Sequence, residues 1–197
     1  MPREKITLGF IGAGRVGTGL ASGFARAEVE VLAVASRSVA SARALAKRVP
    51  GARACAPQLD TLRKAVADGA LAGGFHPLHM FGEAGESAGA LAGCAIALAG
   101  PDTLVEKLER LARILDAKPL RLPEGGRALY HAAANFSGAF VIALIQETIS
   151  LWGKLGIAEA DALAALLPLL RGTADNVERL GAAGGLGSAI ARGDAGT

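Results

Sequence analysis

The first part of the chain alternates short apolar runs with a segment of helical periodicity. Ile6–Ile11 and Val29–Ala35 are apolar runs typical of buried parallel strands. Between them, Val16, Leu20 and Phe24 fall on one face of a helix. This order predicts a complete β-α-β unit at the start of the chain.

The strands that a doubly wound sheet needs next are missing. A helix is predicted from Ser38, with Ser38 or Ser41 as its N-cap, and Ala52–Ala56 predicts a short third strand. Leu59–Val66 then predicts another helix, followed by a short strand at Leu71–Phe75. We therefore expect that a stretch of the domain near Gln58–Leu59 is not included in this sequence. The alternative is a deletion, which would leave an unpaired sheet edge.

The following segment predicts a strand at Leu91–Ala99 and an amphipathic helix that opens at Pro101–Asp102. Pro119–Pro123 reads as an extended linker. We therefore place a domain boundary there, which gives an N-terminal domain of residues 1–123 and a C-terminal domain of residues 124–197.

The C-terminal domain is predicted to be helical. Ala128–Trp152 is a long helix that is apolar on almost every face, which indicates burial on several sides. A second helix spans Ile157–Leu170 and is broken at Pro168, and a third spans Asn176–Leu180. The fold class is therefore α/β, with a Rossmann domain followed by an all-α domain. Helices this apolar usually pack against another subunit, so we expect a homodimer formed by them.

A glycine-rich turn joins the first strand to the first helix. Its G-x-G-x-x-G motif consists of Gly12, Ala13, Gly14, Arg15, Val16 and Gly17. In a β-α-β unit this motif is typical of dinucleotide binding, because the pyrophosphate lies against the helix N-terminus. The alternative is a turn that binds no ligand.

The end of the second strand favours NADP(H) over NAD(H). NAD-binding domains place a carboxylate there, whereas this chain has Ser36, Arg37 and Ser38. Two hydroxyls and a guanidinium suit a 2′-phosphate, which a carboxylate would repel. The alternative is that Arg37 is a solvated loop residue.

Polar residues in otherwise apolar surroundings are the candidates for chemistry. His76 follows a strand and is predicted to line the substrate pocket, with metal binding together with His79 or a packed structural role as alternatives. Tyr130 and His131, near the start of the long helix, are the candidate catalytic acids, unless they serve capping or hydrogen bonding between helices. Thr173 and Asn176 are predicted to hydrogen-bond the substrate, or alternatively the carboxamide of the cofactor.

Composition and charge narrow the class of protein. The 197 residues carry a net charge of +3, and the cations are scattered, so no nucleic-acid surface is expected. Cys55 and Cys94 fit no metal spacing and are expected to be small core residues. We see no signal-peptide pattern and no apolar stretch of the ~20 residues that a membrane span needs. These observations predict a cytoplasmic protein with no membrane partner.

The order of these elements resembles a bacterial family of Rossmann-like NADP-dependent oxidoreductases with a C-terminal helical domain of unknown function. The resemblance rests on six stretches, Gly9–Gly17, Ser36–Ser38, Gly74–Leu78, Tyr130–Ala134, Leu167–Thr173 and Ala189–Asp194. The overall plan is also similar to that of pyrroline-5-carboxylate reductase and deazaflavin-dependent NADP reductases. The resemblance implies an NADP-linked redox enzyme that dimerises through its helices, and it supplies no substrate.

The sequence departs from this family at two points. A hydrophobic strand that ends in a Pro-Asp loop near the nicotinamide is not present, which agrees with a stretch missing near Gln58–Leu59. The helix that contains Tyr130 and His131 is also about one turn short before Asn135, which suggests a second missing stretch after Ala134.

Three functions fit these features. The first is an NADPH-dependent reductase of a small imine or carbonyl substrate, in which the cofactor carries the hydride chemistry. The second is a non-catalytic NADP(H)-binding sensor or scaffold, because a dinucleotide domain does not by itself fix function. The third is an unrelated α/β domain whose glycine turn holds another phosphorylated ligand.

Overall fold

The N-terminal elements form a parallel sheet flanked by helices. The computed structural model describes residues 6–25, 27, 29–55, 69, 71–82 and 91–185. The first elements are β1 (Ile6–Ile11), α1 (Arg15–Phe24), β2 (Val29–Ala35), α2 (Val39–Ala46) and β3 (Arg53–Cys55). The three strands are parallel, in the order β1-β2-β3. The predicted β-α-β unit is confirmed, with both of its strands at the predicted bounds.

A second, mixed sheet follows. It contains β4 (Gly74–Pro77), β5 (Ala95–Ala99) and β6 (Lys118–Arg121), and α3 (Asp102–Ile114) lies between the last two in sequence. Strand β5 is central, antiparallel to β4 and parallel to β6.

Three boundaries in this sheet correct the sequence-based expectations. Strand β4 lies later than the predicted Leu71–Phe75, so His76 lies within the strand. Strand β5 begins at Ala95 rather than Leu91. The predicted linker is instead strand β6, which accepts Pro119 because β6 pairs with β5 alone among the described strands.

The two sheets share one hydrophobic core in the first part of the molecule. Phe24 of α1 lies between Phe10 of β1 and Phe75 of β4, with ring centroids 6.3 Å apart in each pair. The largest side chains that are almost fully buried are Leu91, Ile96, Leu98, Val34 and Val49. The two cysteines differ, since Cys94 packs against this core as predicted, whereas Cys55 is exposed, because it lies at the end of the short strand β3.

The C-terminal region is helical, as predicted, but its breaks lie elsewhere. It contains α4 (Arg127–Ser137), α5 (Ala139–Gly153) and α6 (Glu159–Gly184). The predicted single helix is divided at Gly138, whose φ of −114° and ψ of −90° are not helical. Pro168 does not break α6, because proline removes a single helical hydrogen bond and strong helix formers surround it. Non-helical geometry occurs at Gly181, with φ +73°.

Much of the apolar surface of these helices is left exposed by the described residues. Among these, no residue of α4 or α5 is buried, and α6 buries only Ala162 and Leu166. The expected burial on several faces is therefore not seen within the described part of the chain.

One apolar segment of the described chain passes the length and composition test for a membrane span. Residues Arg127–Gly153 have a mean hydropathy of 1.6, so the expectation that no stretch is long enough was wrong. Core helices of soluble proteins pass the same test. Gly138 interrupts this segment between α4 and α5.

The chain divides into two compact units, Met1–Ala134 and Asn135–Thr197. The division falls within α4, whereas the boundary predicted at 123–124 lies just before that helix. Helix α4 is continuous through Ala134 and Asn135. The predicted helix at 59–66, the suspected missing stretch at Gln58–Leu59 and the 189–194 motif lie outside the described residues.

Candidate functional site

The turn between β1 and α1 requires glycine at two of its three glycine positions. Gly12 has a φ of +117°, which side chains other than glycine rarely adopt. Its N–H donates a 2.8 Å hydrogen bond to the carbonyl oxygen of Ala35, which joins the turn to the end of β2. A Cβ at Gly17 would overlap the carbonyl oxygen of Gly12. The backbone of the turn therefore excludes side chains at both positions.

Gly14 has no such requirement within the protein. Its φ of −82° and ψ of −174° are extended, and no atom of another described residue beyond its chain neighbours and the backbone of α1 lies within 4 Å of a Cβ placed there. Gly14 is the N-cap of α1, and the first turn of this helix has neither a capping side chain nor an acidic residue. The first N–H groups of α1 are therefore available to an anion, beside a position where the fold leaves open space.

The segment Ser36–Ser38 lies next to this turn, because Ala35 pairs with Ile11 at the end of β1. The Ser38 hydroxyl accepts a 3.3 Å hydrogen bond from the N–H of Ser41 and caps α2, as predicted. Arg15 and Arg37 are exposed, and neither forms an ion pair with another described residue. Two uncompensated cations therefore flank the turn.

A separate cleft of about 180 Å³ is formed by residues of the first unit alone. Strand β4 contributes His76, and α4 contributes Tyr130 and His131. The His76 Nδ1 lies 3.3 Å from the Tyr130 hydroxyl, and the rings of His76 and His131 meet edge to face with centroids 4.5 Å apart. The fold thus brings together the three aromatic polar residues that the sequence indicated.

The environment of the cleft shifts the pKa values of His76 and Tyr130. Burial lowers the pKa of His76, and the positive charges of His131 and Arg127 lower it further. Burial raises the pKa of Tyr130, with a smaller contribution from the nearby Cys94 thiol. At neutral pH His76 is therefore neutral and Tyr130 keeps its proton, so a hydrogen bond links two uncharged groups.

Helical spacing explains why α4 presents several polar groups to one cleft. Arg127, Tyr130 and His131 are at positions i, i+3 and i+4, which lie on one face of a helix. The remaining lining is small or apolar and consists of Gly73, Gly74, Phe75, Ala97, Ala99 and Leu122. The cleft therefore combines an apolar wall with one polar helix face.

The other predicted substrate residues do not line this cleft. Thr173 and Asn176 lie on α6 in the second unit, where the Thr173 hydroxyl donates to the Leu169 carbonyl oxygen at 2.9 Å. The Asn176 side-chain oxygen accepts a 2.9 Å hydrogen bond from Arg179. Their contact with a substrate stays a prediction.

For the alternative of a metal site at His76 and His79, the described residues offer no third ligand. His79 contacts Phe81 edge to face at 5.0 Å and is not part of the cleft lining. Within the described ranges, no group of three His, Cys, Asp or Glu side chains is placed to hold a metal ion.

Two residues of the site were not identified from the sequence. Arg127 had a detectable signal, since it stands three and four residues before Tyr130 and His131. Cys94 had none, because its proximity to Tyr130 results from the packing of β5 near α4 and not from any local pattern.

Comparisons with known proteins agree with this architecture. Residues 1–75 match the model of a Rossmann-like domain, and residues 94–197 match that of the domain of unknown function DUF2520. No functionally curated protein matches the sequence.

Solved structures with the same fold cover most of the chain. A Bacteroides fragilis protein provisionally assigned as an NADP oxidoreductase is 19% identical and has a TM-score of 0.72, over 96% of this chain and 87% of its own. The 1-pyrroline-5-carboxylate reductase of Streptococcus pyogenes is 17% identical and has a TM-score of 0.66, over 88% of this chain and 80% of its own. An Aspergillus terreus reductive aminase in complex with NADPH is 17% identical and has a TM-score of 0.61, over 90% of this chain and 76% of its own. At these identities the similarity shows the fold.

Proposed function

We propose that this chain, which belongs to the DUF2520 family and has a Rossmann-like domain at its N-terminus, is an NADP(H)-dependent oxidoreductase. Its substrate is a small carbonyl or imine compound. The observation that carries the proposal is the Tyr130 hydroxyl 3.3 Å from His76 Nδ1 in a cleft of the first unit. A reduction of C=O or C=N needs such a proton donor.

The residues around the glycine turn fit an NADP(H) cofactor. The free N–H groups at the start of α1 and the open space beside Gly14 suit the pyrophosphate. Ser36, Arg37 and Arg15 suit the 2′-phosphate, since the two arginines have no ion-pair partner among the described residues. When bound, NADPH supplies a hydride to the substrate.

The proposed acid is Tyr130. Its raised pKa keeps the phenol protonated at neutral pH, and the hydrogen bond to His76 orients the hydroxyl. His76 is exposed at the cleft and connects Tyr130 to solvent, from which the lost proton is replaced. His131, with its ring 5.6 Å from that of Tyr130, is the second candidate donor.

The structural neighbours support the reaction class. One is a reductase of a cyclic imine carboxylate, and another is a reductive aminase that was crystallised with NADPH and ethyl-5-oxohexanoate. The alternative of a non-catalytic NADP(H) sensor has no use for a proton donor. The Tyr130–His76 pair therefore favours the enzyme.

We also propose that the protein is a cytoplasmic homodimer. The exposed apolar side chains of α4 and α5 include Leu129, Phe136, Phe140 and Leu144. A second copy that packs on these helices would remove that surface from water, which is favourable by about 25 cal/mol per Å² of apolar area.

Cofactor preference is tested by titrating the protein with NADPH and NADH in parallel. We expect NADPH to bind at least tenfold more tightly, a difference of ~1.4 kcal/mol. Arg37→Ala should remove this difference by weakening NADPH alone. Arg110→Ala, which removes an exposed arginine from α3, is the matched control. Equal binding of both nucleotides by the wild type would contradict the preference, and binding of neither would contradict the proposal.

Catalysis is tested by following NADPH oxidation with cyclic imines, aldehydes and ketones. Tyr130→Phe should lower kcat by about 10²–10⁴-fold, the usual contribution of a positioned general acid, and leave NADPH affinity unchanged. His131→Gln examines the second donor, and Ser137→Ala on the same helix is the control. NADPH binding without turnover of any compound would favour the sensor.

A further inference from the structure

Among the described residues that line the cleft, the exposed Arg127 is the one permanently charged side chain. It lies on the face of α4 that also presents Tyr130 and His131. The described lining contains no aspartate or glutamate. The guanidinium forms no ion pair or hydrogen bond with another described residue, whereas those of Arg113 and Arg121 are bound to Glu109.

An uncompensated arginine beside an apolar wall attracts anions more strongly than an arginine on an open surface. The neighbouring protein lowers the effective dielectric, and no protein carboxylate neutralises the charge. The planar guanidinium also offers two parallel N–H donors, which match the two oxygens of a carboxylate.

We infer that the cleft binds a substrate that carries a carboxylate, held by the guanidinium of Arg127, next to the carbonyl or imine group that is reduced. This inference rests on the proposed function, because it assigns the substrate class of the same cleft. A cleft of about 180 Å³ has room for small 2-oxo acids and imino acids, which are the members of that class to test first.

The arrangement assigns separate tasks to one face of α4. Arg127 binds the carboxylate, and Tyr130, three residues later, faces the group that accepts the proton. The carboxylate would also neutralise a charge that now lowers the pKa of His76. Bound substrate should therefore raise the pKa of His76, so that its imidazole is protonated more often and can return a proton to Tyr130.

The test measures binding separately from turnover. Calorimetry is performed on the full chain, with and without NADPH, using 2-oxobutanoate and 1-pyrroline-2-carboxylate and the methyl ester of each. We expect the wild type to bind at least one acid tenfold or more tightly than its ester. Arg127→Ala should remove this preference without changing the affinity for NADPH or the melting temperature. Arg127→Lys should restore part of it, and Arg171→Ala on α6 should change nothing.

The outcomes separate this inference from the proposed function. Carboxylate binding that depends on Arg127 without any NADPH oxidation would support the inference and contradict the reductase. Equal binding of acids and esters by the wild type would overturn the inference, even if the protein reduces both. Loss of NADPH affinity in Arg127→Ala would also overturn it, because Arg127 would then serve the cofactor. In the wild type, the NMR titration of His76 should shift to higher pH when 2-oxobutanoate is bound.

Discussion

At the scale of single residues, the glycines of the β1–α1 turn separate the needs of the fold from those of a ligand. Gly17 is required because a side chain there would meet the carbonyl oxygen of Gly12. Gly14 is not required by any protein contact, and its extended backbone is that of an ordinary N-cap residue. The open space beside Gly14 is therefore room that the proposed pyrophosphate could use.

The same substitution at both positions should therefore have opposite effects. Gly14→Ser should keep or raise the melting temperature, because serine is a good N-cap, and should weaken NADPH binding at least tenfold. Gly17→Ser should destabilise the fold by about 1–3 kcal/mol through overpacking. Thermal unfolding without nucleotide and an NADPH titration distinguish the two. A melting temperature lowered equally by both substitutions would show that Gly14 is structural.

At the scale of elements, an ion pair between Glu109 and Arg121 connects α3 to β6. Glu109 of α3 accepts hydrogen bonds from Arg121 of β6 and from Arg113 one turn further along α3. The bond to Arg121, with the one to Arg113, holds the pKa of Glu109 below its ordinary value. Because the folded pKa is below the unfolded one, this pair stabilises the fold above the unfolded pKa. The contribution is lost as pH falls through the folded value.

Glu109→Gln should consequently lower the melting temperature at neutral pH and have a diminishing effect as the pH falls below about 4.5, the ordinary pKa of glutamate. The measurement is thermal unfolding of both proteins between neutral and acidic pH. Glu106→Gln removes a charge from the same helix without removing a hydrogen bond to Arg121, and its effect should be smaller. A difference in melting temperature between wild type and Glu109→Gln that stays constant over the whole pH range would contradict this account.

At the scale of the whole molecule, the exposed apolar surface of α5 is the basis of the proposed homodimer. Leu144 is 67% exposed in the single chain, although the helix has the composition of a core element. Leu144→Glu should convert a dimer into a monomer with intact secondary structure. Leu71→Glu, at an exposed leucine of the first unit, is the control.

Light scattering after gel filtration gives the mass of each variant. A wild-type monomer would contradict the assembly. Recovery of the wild type only with the membrane fraction would show that the apolar segment faces lipid instead.

The sequence was sufficient where structure depends on local patterns. The β1-α1-β2 unit and the Ser38 cap follow from apolar periodicity and capping chemistry over adjacent residues, and both are observed. The division of the long C-terminal helix was not predicted. The prediction of a single helix rested on the apolar composition of the segment and did not take into account the low helix propensity of Gly138.

Long-range arrangements could not be predicted in the same way. The antiparallel pairing of β4 with β5 and the approach of His76 to Tyr130, 54 residues later, depend on how separate elements pack. Local periodicity describes the face of a helix but not its neighbour. The sequence therefore singled out His76, Tyr130 and His131 and divided them between two roles, whereas the structure places all three in one cleft.

The position of Tyr130 has a consequence for spectroscopy. It is the single tyrosine of the sequence, and Trp152 of α5 is the single tryptophan. The near-ultraviolet absorbance of phenolate therefore reports the ionisation of the cleft alone, without labelling. The fluorescence of the indole reports the second unit alone. Each half of the molecule thus carries one native chromophore, and the two halves can be followed independently in the same cuvette.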